Sequence, residues 1–269
     1  YNSETVLDKK RAGENQRGIG DIRQGIATGN DGRFLQTFWE VPDNRWTPFA
    51  KGGADAWLLP RVTNMLLWGS SGHEIRRSPG GNGTPSEERY FEEALTYTVA
   101  KESGRRFGYL PSGSIFGHKG SVLIPERAIW NALSYTNSHL FTYLMIAQTT
   151  ERMWEVGQVS KVPWHPRLEA ADELEQLATA ALSQLVSKRQ YEFVSPYYAG
   201  PVLLDMLGVD TLLPQYDHPH QVLREELDIG EPAAGVSAEA SLDTLAVEAA
   251  THLERIEADL QSCAREIDE

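Results

Sequence analysis

The sequence predicts an α+β fold, with a mixed-sheet domain over residues 20–165 followed by a helical C-terminal segment. Three observations predict it. Between Gly20 and His165, short β-prone and aromatic runs are punctuated by glycines, most densely at positions 20, 25, 29 and 32. After Pro166 the texture changes to long stripes of Leu and Ala at three-four spacing. Charge divides at the same place, since residues 1–165 carry 19 Lys+Arg against 17 Asp+Glu and residues 166–269 carry 6 against 21, so the net −13 is all C-terminal. A polyanion would be drawn to the first part and repelled by the second.

At 269 residues and 41% hydrophobic, the chain can bury one sizeable core or two small ones. No run reaches the roughly 18 apolar residues of a membrane span, and the start, YNSETVLDKKRAGENQRG, lacks an apolar signal-peptide stretch. A cytoplasmic location with no membrane partner is therefore expected. Cys263, the one cysteine, cannot form an internal disulfide.

Residues 1–19 are polar, mixed in charge and without a periodic apolar face, and read as a linker. From Asp21 to Val41 two short strands are expected, joined through the T-G-N-D-G turn, with FLQTFWEV half buried. Trp46 to Gly53 reads as a loop, Pro60 to Trp68 as a strand or short helix, and Ser70 to Arg89 as a long polar loop of the kind that is functional or disordered. Tyr90 to Ala100 begins like a helix but ends in β-branched residues, which predicts a strand carrying Thr96 to Val99. Arg105 to Leu123 has the pattern of short twisted strands. Helices are expected at Glu126 to Leu133 and Asn137 to Ala147, the second apolar enough to be core, and a last strand at Val156 to Val162.

In the helical segment, 166–227, Pro166 opens an amphipathic helix over about Arg167 to Lys188, and Pro201 to Leu207 forms a second. The acidic tract 228–240, DIGEPAAGVSAEA, reads as a flexible linker. The last segment, 241–269, returns to helix from Leu242 to Ile267, with an apolar stripe that needs a partner.

Most chemistry-bearing patterns are absent. GSSG at 69–72 lacks the spacing of a nucleophile elbow, and GSIFGHKG at 113–120 is neither a phosphate loop nor a dinucleotide fingerprint. DHPH at 217–220 and the His73–Glu74 pair lack zinc-site spacings and read as polar turns, so no metal site is expected. What remains is a set of cations in or beside glycine-rich loops: Arg33, Lys51, Arg76, Arg77, Arg105, Arg106 and Lys119. Backbone can approach a phosphate there, and side chains can reach a groove. Ordinary solvated charge is the alternative for each. Arg33 and Lys51, flanked by glycines, are assigned to phosphates; the paired arginines 76–77 and 105–106 are assigned to base edges. Most of the interleaved aromatics are expected in the core.

Four stretches carry a resemblance. IRQGIATGNDGRFLQTFWEV, WTPFAKGG at 46–53, RRFGYLPSGSIFGHKGSVLIP and WEVGQVSKVPW occur in the order of motifs in a known family. They resemble the target-recognition domains of the large adenine-specific DNA methyltransferases of phage-defence systems (BREX and DISARM) and of related type IIG restriction-modification enzymes. The resemblance covers about residues 20–165 and adds Gln24, Thr28 and Asn30, which fall on the first motif, to the DNA-contacting set. Two positions depart from it: Asn30-Asp31 reverses the family's acidic-asparagine pair, and Gln36 stands where an arginine is expected. The family's [DNS]PP[YFW] motif, which holds the target amino group, is missing, as is its glycine-rich loop for S-adenosylmethionine.

The resemblance thus implies the recognition part of a site-specific N6-adenine DNA methyltransferase, itself non-catalytic and without a cofactor. S-adenosylmethionine is implied for an upstream methyltransferase domain, with Tyr1 lying mid-chain in a longer protein. Double-stranded DNA, that upstream domain and other defence-system proteins are the implied partners. Two other readings stay open: a protein-interaction module whose acidic helices dock a partner, and an enzyme with its own site in the loops at 70–89 and 105–120.

Overall fold

The structure is a computed structural model that describes residues 18–41, 43–53, 57–102, 106–207, 223, 227 and 242–268. Residues 1–17 of the expected linker at 1–19, the expected linker at 228–240, the DHPH turn and Arg105 lie outside the described residues. The fold is α+β, as the sequence predicts, and its strands are β1 (Asp21–Arg23), β2 (Leu35–Thr37), β3 (Trp46–Gly52), β4 (Asn64–Leu67), β5 (Ala94–Thr98), β6 (Phe107–Leu110) and β7 (Ile115–Ile124). They form one mixed sheet in the order β2-β4-β3-β7-β5-β6, with β1 also on β7. β7 organises it, pairing parallel with β3 and antiparallel with β5 and β1.

Both faces of the sheet are covered, and strand alternation decides which residue goes where. Leu95, Tyr97, Phe107, Tyr109 and Leu123 enter the larger hydrophobic cluster, while Ala94, Leu110 and Val122 enter the smaller one on the opposite face. The larger cluster continues across residue 165: Ala178, Leu182, Leu185 and Val186 of the Asp172–Arg189 helix join the sheet residues in it. The smaller cluster sits under glycine-rich loops and is built on Ile26, Phe34, Phe49, Leu66, Ile75 and Phe116.

Several expectations are corrected. Gly18 and Ile19 are not linker: Gly18 bridges Pro163 and Ile19 is buried in the core. Trp46–Gly52 is a strand, not a loop, because Phe49 and Ala50 are buried and its backbone is paired by β4 and β7. The T-G-N-D-G stretch makes a helical turn, Asp31–Phe34, capped by Asn30, and the strands on either side pair with β7 and β4, not with each other. Val156–Val159 is helical because Glu155 and Gln158 form a capping box, with Glu155 N donating to Gln158 Oε1 at 2.8 Å.

The helix expected over 167–188 is interrupted after a single turn, Pro166–Glu169, and restarts at Asp172. Asn131 explains the break: its Nδ2 donates to the carbonyls of Leu168 and Ala171, both at 2.8 Å. Of the His139–Ile146 helix, expected as core, only Phe141 and Met145 are buried, while Leu140, Tyr143 and Ile146 face solvent. The final helix, Leu242–Asp268, finds its partner within this chain. It packs along Asp172–Arg189 with Leu245, Ala249, Ile256, Leu260 and Ile267 buried, and Glu257 pairs with Lys188. Among the described residues no helix is long and apolar enough to cross a membrane.

Candidate functional site

The segment from Gln24 to Phe34 crosses the sheet over the smaller cluster, and glycine lets it do so. Ile26 N donates to Phe116 O at 3.0 Å and His118 N to Ile26 O at 2.9 Å, which presses the segment against β7. A Cβ on Gly25 would lie 1.9 Å from Phe116 O, so no side chain fits. Gly29 has φ +71, and a Cβ there would lie 2.4 Å from Gly81 N. The loops at 25–32 and 78–83 therefore pack backbone to backbone.

Asn82 locks that contact, accepting from Ala27 N at 2.7 Å and donating from Nδ2 to Gly25 O at 3.0 Å. Sequence reasoning missed Asn82. Its one signal is an asparagine between two glycines, which reads equally as loop.

These loops, the C-terminal half of β3 and the middle of β7 line a cleft of about 410 Å³. Phe49, Ile26 and Gly80 supply its apolar and backbone surface, and Thr28, Asp31, Lys51, His118 and Lys119 its polar one. Asp31 accepts from Thr28 Oγ1 at 2.5 Å and pairs with Lys51 Nζ at 2.8 Å. Its carboxyl is held below the ordinary aspartate value, chiefly by the hydrogen bond from Lys51 and then that from Thr28, with Lys119 adding a smaller charge effect. The register of β3 on β7 shifts here: Ala50 sits opposite Phe116 but Gly52 opposite Lys119. The extra residue on β7 is a bulge, and it leaves His118 and Lys119 consecutively exposed.

The structure brings together Thr28, Asn30, Arg33, Lys51 and Lys119, with Arg76 and Arg77 one loop away. Gln24 is exposed beside them, its carbonyl accepting from Ser86 Oγ at 3.1 Å. Asn30 is occupied as a helix cap, accepting from Arg33 N at 3.1 Å. Arg33 pairs with Glu74 at 2.6 Å, with its guanidinium 5.0 Å from the centre of the Phe34 ring. Arg76 donates to Thr84 Oγ1 at 3.1 Å and pairs with Glu87. Arg77 and Lys119 are exposed.

Two assignments are corrected. Thr28 is only 3% exposed and its hydroxyl is committed to Asp31, so it shapes the cleft and does not offer a contact. Arg106 is not a base reader, being 1% exposed. Its Nη1 donates to the carbonyls of Thr98 and Val99 at 3.3 Å and of Arg152 at 3.4 Å, and its Nη2 donates to those of Lys101 at 2.9 Å and of Glu151. Its guanidinium also lies 4.3 Å from the Trp154 ring centre, and burial pushes its pKa down to about 10. It ties the end of the β5–β6 hairpin to the 151–154 segment. Among the described residues no cluster of metal-ligating side chains forms; His73 is exposed, and its neighbour Glu74 is engaged by Arg33.

The chain is similar to two adenine-specific methyltransferases. It is 26% identical over 125 residues to adenine-specific methyltransferase BrxX of Escherichia coli O9:H4 (strain HS), a match covering 45% of this chain and 10% of that protein. It is 24% identical over 168 residues to adenine-specific methyltransferase PglX of Lacticaseibacillus casei (strain Zhang), covering 52% and 14% respectively. The chain thus spans a small share of the length of the curated relatives it matches. No family model matches it.

Proposed function

We propose that this chain is the DNA target-recognition part of an adenine-specific methyltransferase of a phage-defence or restriction-modification system. The observation that carries the reading is convergence. Three stretches that are distant in sequence, and that resemble target-recognition motifs, line a single cleft: Ile26 to Asp31, Phe49 and Lys51, and His118 and Lys119. Similarity to two adenine-specific methyltransferases supports the same activity class.

The chemistry fits a division of labour. A methyltransferase must flip its target base, and a pocket holding one base cannot read a longer site. Lys51 and Lys119 line the cleft and Arg33 lies two residues beyond its Asp31, all three as phosphate contacts, and Arg76 and Arg77 on the neighbouring loop are the candidates for base edges. S-adenosylmethionine binding is assigned to another part of the methyltransferase, since the motifs for it are absent from this sequence. A protein-docking role for the acidic helices has less support, because the apolar face of Leu242–Asp268 is already buried against Asp172–Arg189.

The test is site choice by the full-length methyltransferase. Arg76→Ala/Arg77→Ala is expected to cost about 1–3 kcal/mol at one position of the site, while Lys119→Ala weakens binding to all sequences alike. Methylation mapping that shows unchanged sites and rates for both variants would count against the reading.

A further inference from the structure

We propose that Glu74 and Asp31 are positioning residues that set the selectivity of this face by holding its cations in ion pairs that a phosphate must displace; this rests on the reading of the face as DNA-binding. Arg33 lies 2.6 Å from Glu74 and Lys51 lies 2.8 Å from Asp31, while Arg76 pairs with Glu87. The side chains of the first two pairs are 43% to 60% exposed. Pairs that open to solvent contribute little to stability, because water screens them and ordering two long side chains costs entropy. The fold does not need them, since the loops beneath are already fixed by Asn82 and by glycine contacts.

What the pairs change is the charge that the face presents. Each phosphate contact normally releases a counterion and adds about 0.9 to the slope of log affinity against log salt. Here Arg33 and Lys51 are already neutralised from within, by carboxylates that stay in place beside any incoming phosphate. Arbitrary duplex gains little from displacing them, and a sequence that adds base-edge contacts offsets the repulsion. The +2 balance of residues 1–165, despite 19 basic residues, is the same feature seen in the sequence.

The experiment measures binding of the chain, residues 1–269, to a short duplex of randomised sequence between about 50 and 200 mM salt. Glu74→Gln and Asp31→Asn are each expected to steepen the salt slope by about 0.9, so that the affinity ratio across that range grows roughly 3.5-fold. Arg33→Ala/Glu74→Gln is expected to return to the wild-type slope, because the freed cation is gone; a purely structural role for Glu74 would not give that reversal. In the full-length methyltransferase, Glu74→Gln is expected to methylate adenines outside the wild-type sites. Unchanged slopes in variants that melt like wild type, or an unchanged methylation map, overturn the inference while leaving the DNA reading intact. Should Asp31→Asn unfold the cleft, the slopes of Glu74→Gln and of Arg33→Ala/Glu74→Gln decide the question alone. No salt-dependent duplex binding by any of these proteins overturns the inference and the DNA reading together.

Discussion

The two faces of the sheet are held by different means. On one, helices press aliphatic side chains onto Leu95, Tyr97 and Phe107, and the final helix adds Leu260 and Ile267 from a distant part of the chain. On the other, a smaller cluster lies under loops that are fixed by a single polar latch, Asn82, and by glycines that touch backbone directly. The face meant to carry rigidity is built from area, and the face with the cleft from placement. Substitutions on the first should therefore lower the melting of the whole protein, whereas those on the second should open it locally.

The largest effect is expected at Arg106. Arg106→Ala removes a donor from five carbonyls, of which those of Val99 and Arg152 keep a backbone donor, and empties the space over Trp154, and it should destabilise the protein by about 3–5 kcal/mol in urea unfolding. A loss under about 1 kcal/mol would mean that water replaces the guanidinium easily. Next comes Leu260→Ala on the final helix, at about 2–4 kcal/mol. If the cooperative transition is unchanged by that substitution, the helix does not belong to the common core.

On the loop face the effects shrink. Gly29→Ala forces a side chain into the left-handed region and against Gly81, which should cost about 1–3 kcal/mol and raise hydrogen exchange at Ala27 and Asn82 before it alters exchange at Leu95. Uniform loss of protection would erase the contrast between the faces. Smallest is the pH response of Asp31. Its folded pKa is depressed by Lys51 and Thr28, so its contribution is complete above the ordinary value of 3.8 and is lost as pH falls through the lower folded value. With side chains this exposed the contribution should stay below about 1 kcal/mol, and Asp31→Asn should remove that acid-side segment of the stability curve.

The helical face was the more legible one. The stripe through Leu245, Ala249, Ile256 and Leu260 announces its helix by spacing alone, although not that its partner would be the helix at Asp172–Arg189. β3 has little strand signal in the sequence because Pro48, Gly52 and Gly53 break its alternation, and its strand character comes from pairing with β7, remote in sequence. Arg106 is hidden in the sequence for a related reason. Next to Arg105 it looks like a surface pair, and only folding assembles the carbonyls of 98–101 and 151–152 around it. The cleft was legible as motifs but not as geometry: Asn82, which ties two of its loops, has no sequence pattern of its own.

The bulge on β7 has an evolutionary consequence. Paired strands resist gaining or losing a residue, since a shift by one turns every later side chain to the opposite face. At Gly117 and His118 that shift is already accommodated, with regular pairing on either side. Removing one residue there should restore strict alternation and turn one of the two exposed side chains at 118 and 119 inward, with β5 and the hairpin to β6 left in register. Segment length at this point is thus a heritable variable in its own right, through which a lineage can change the reach of the cleft without replacing a single core residue.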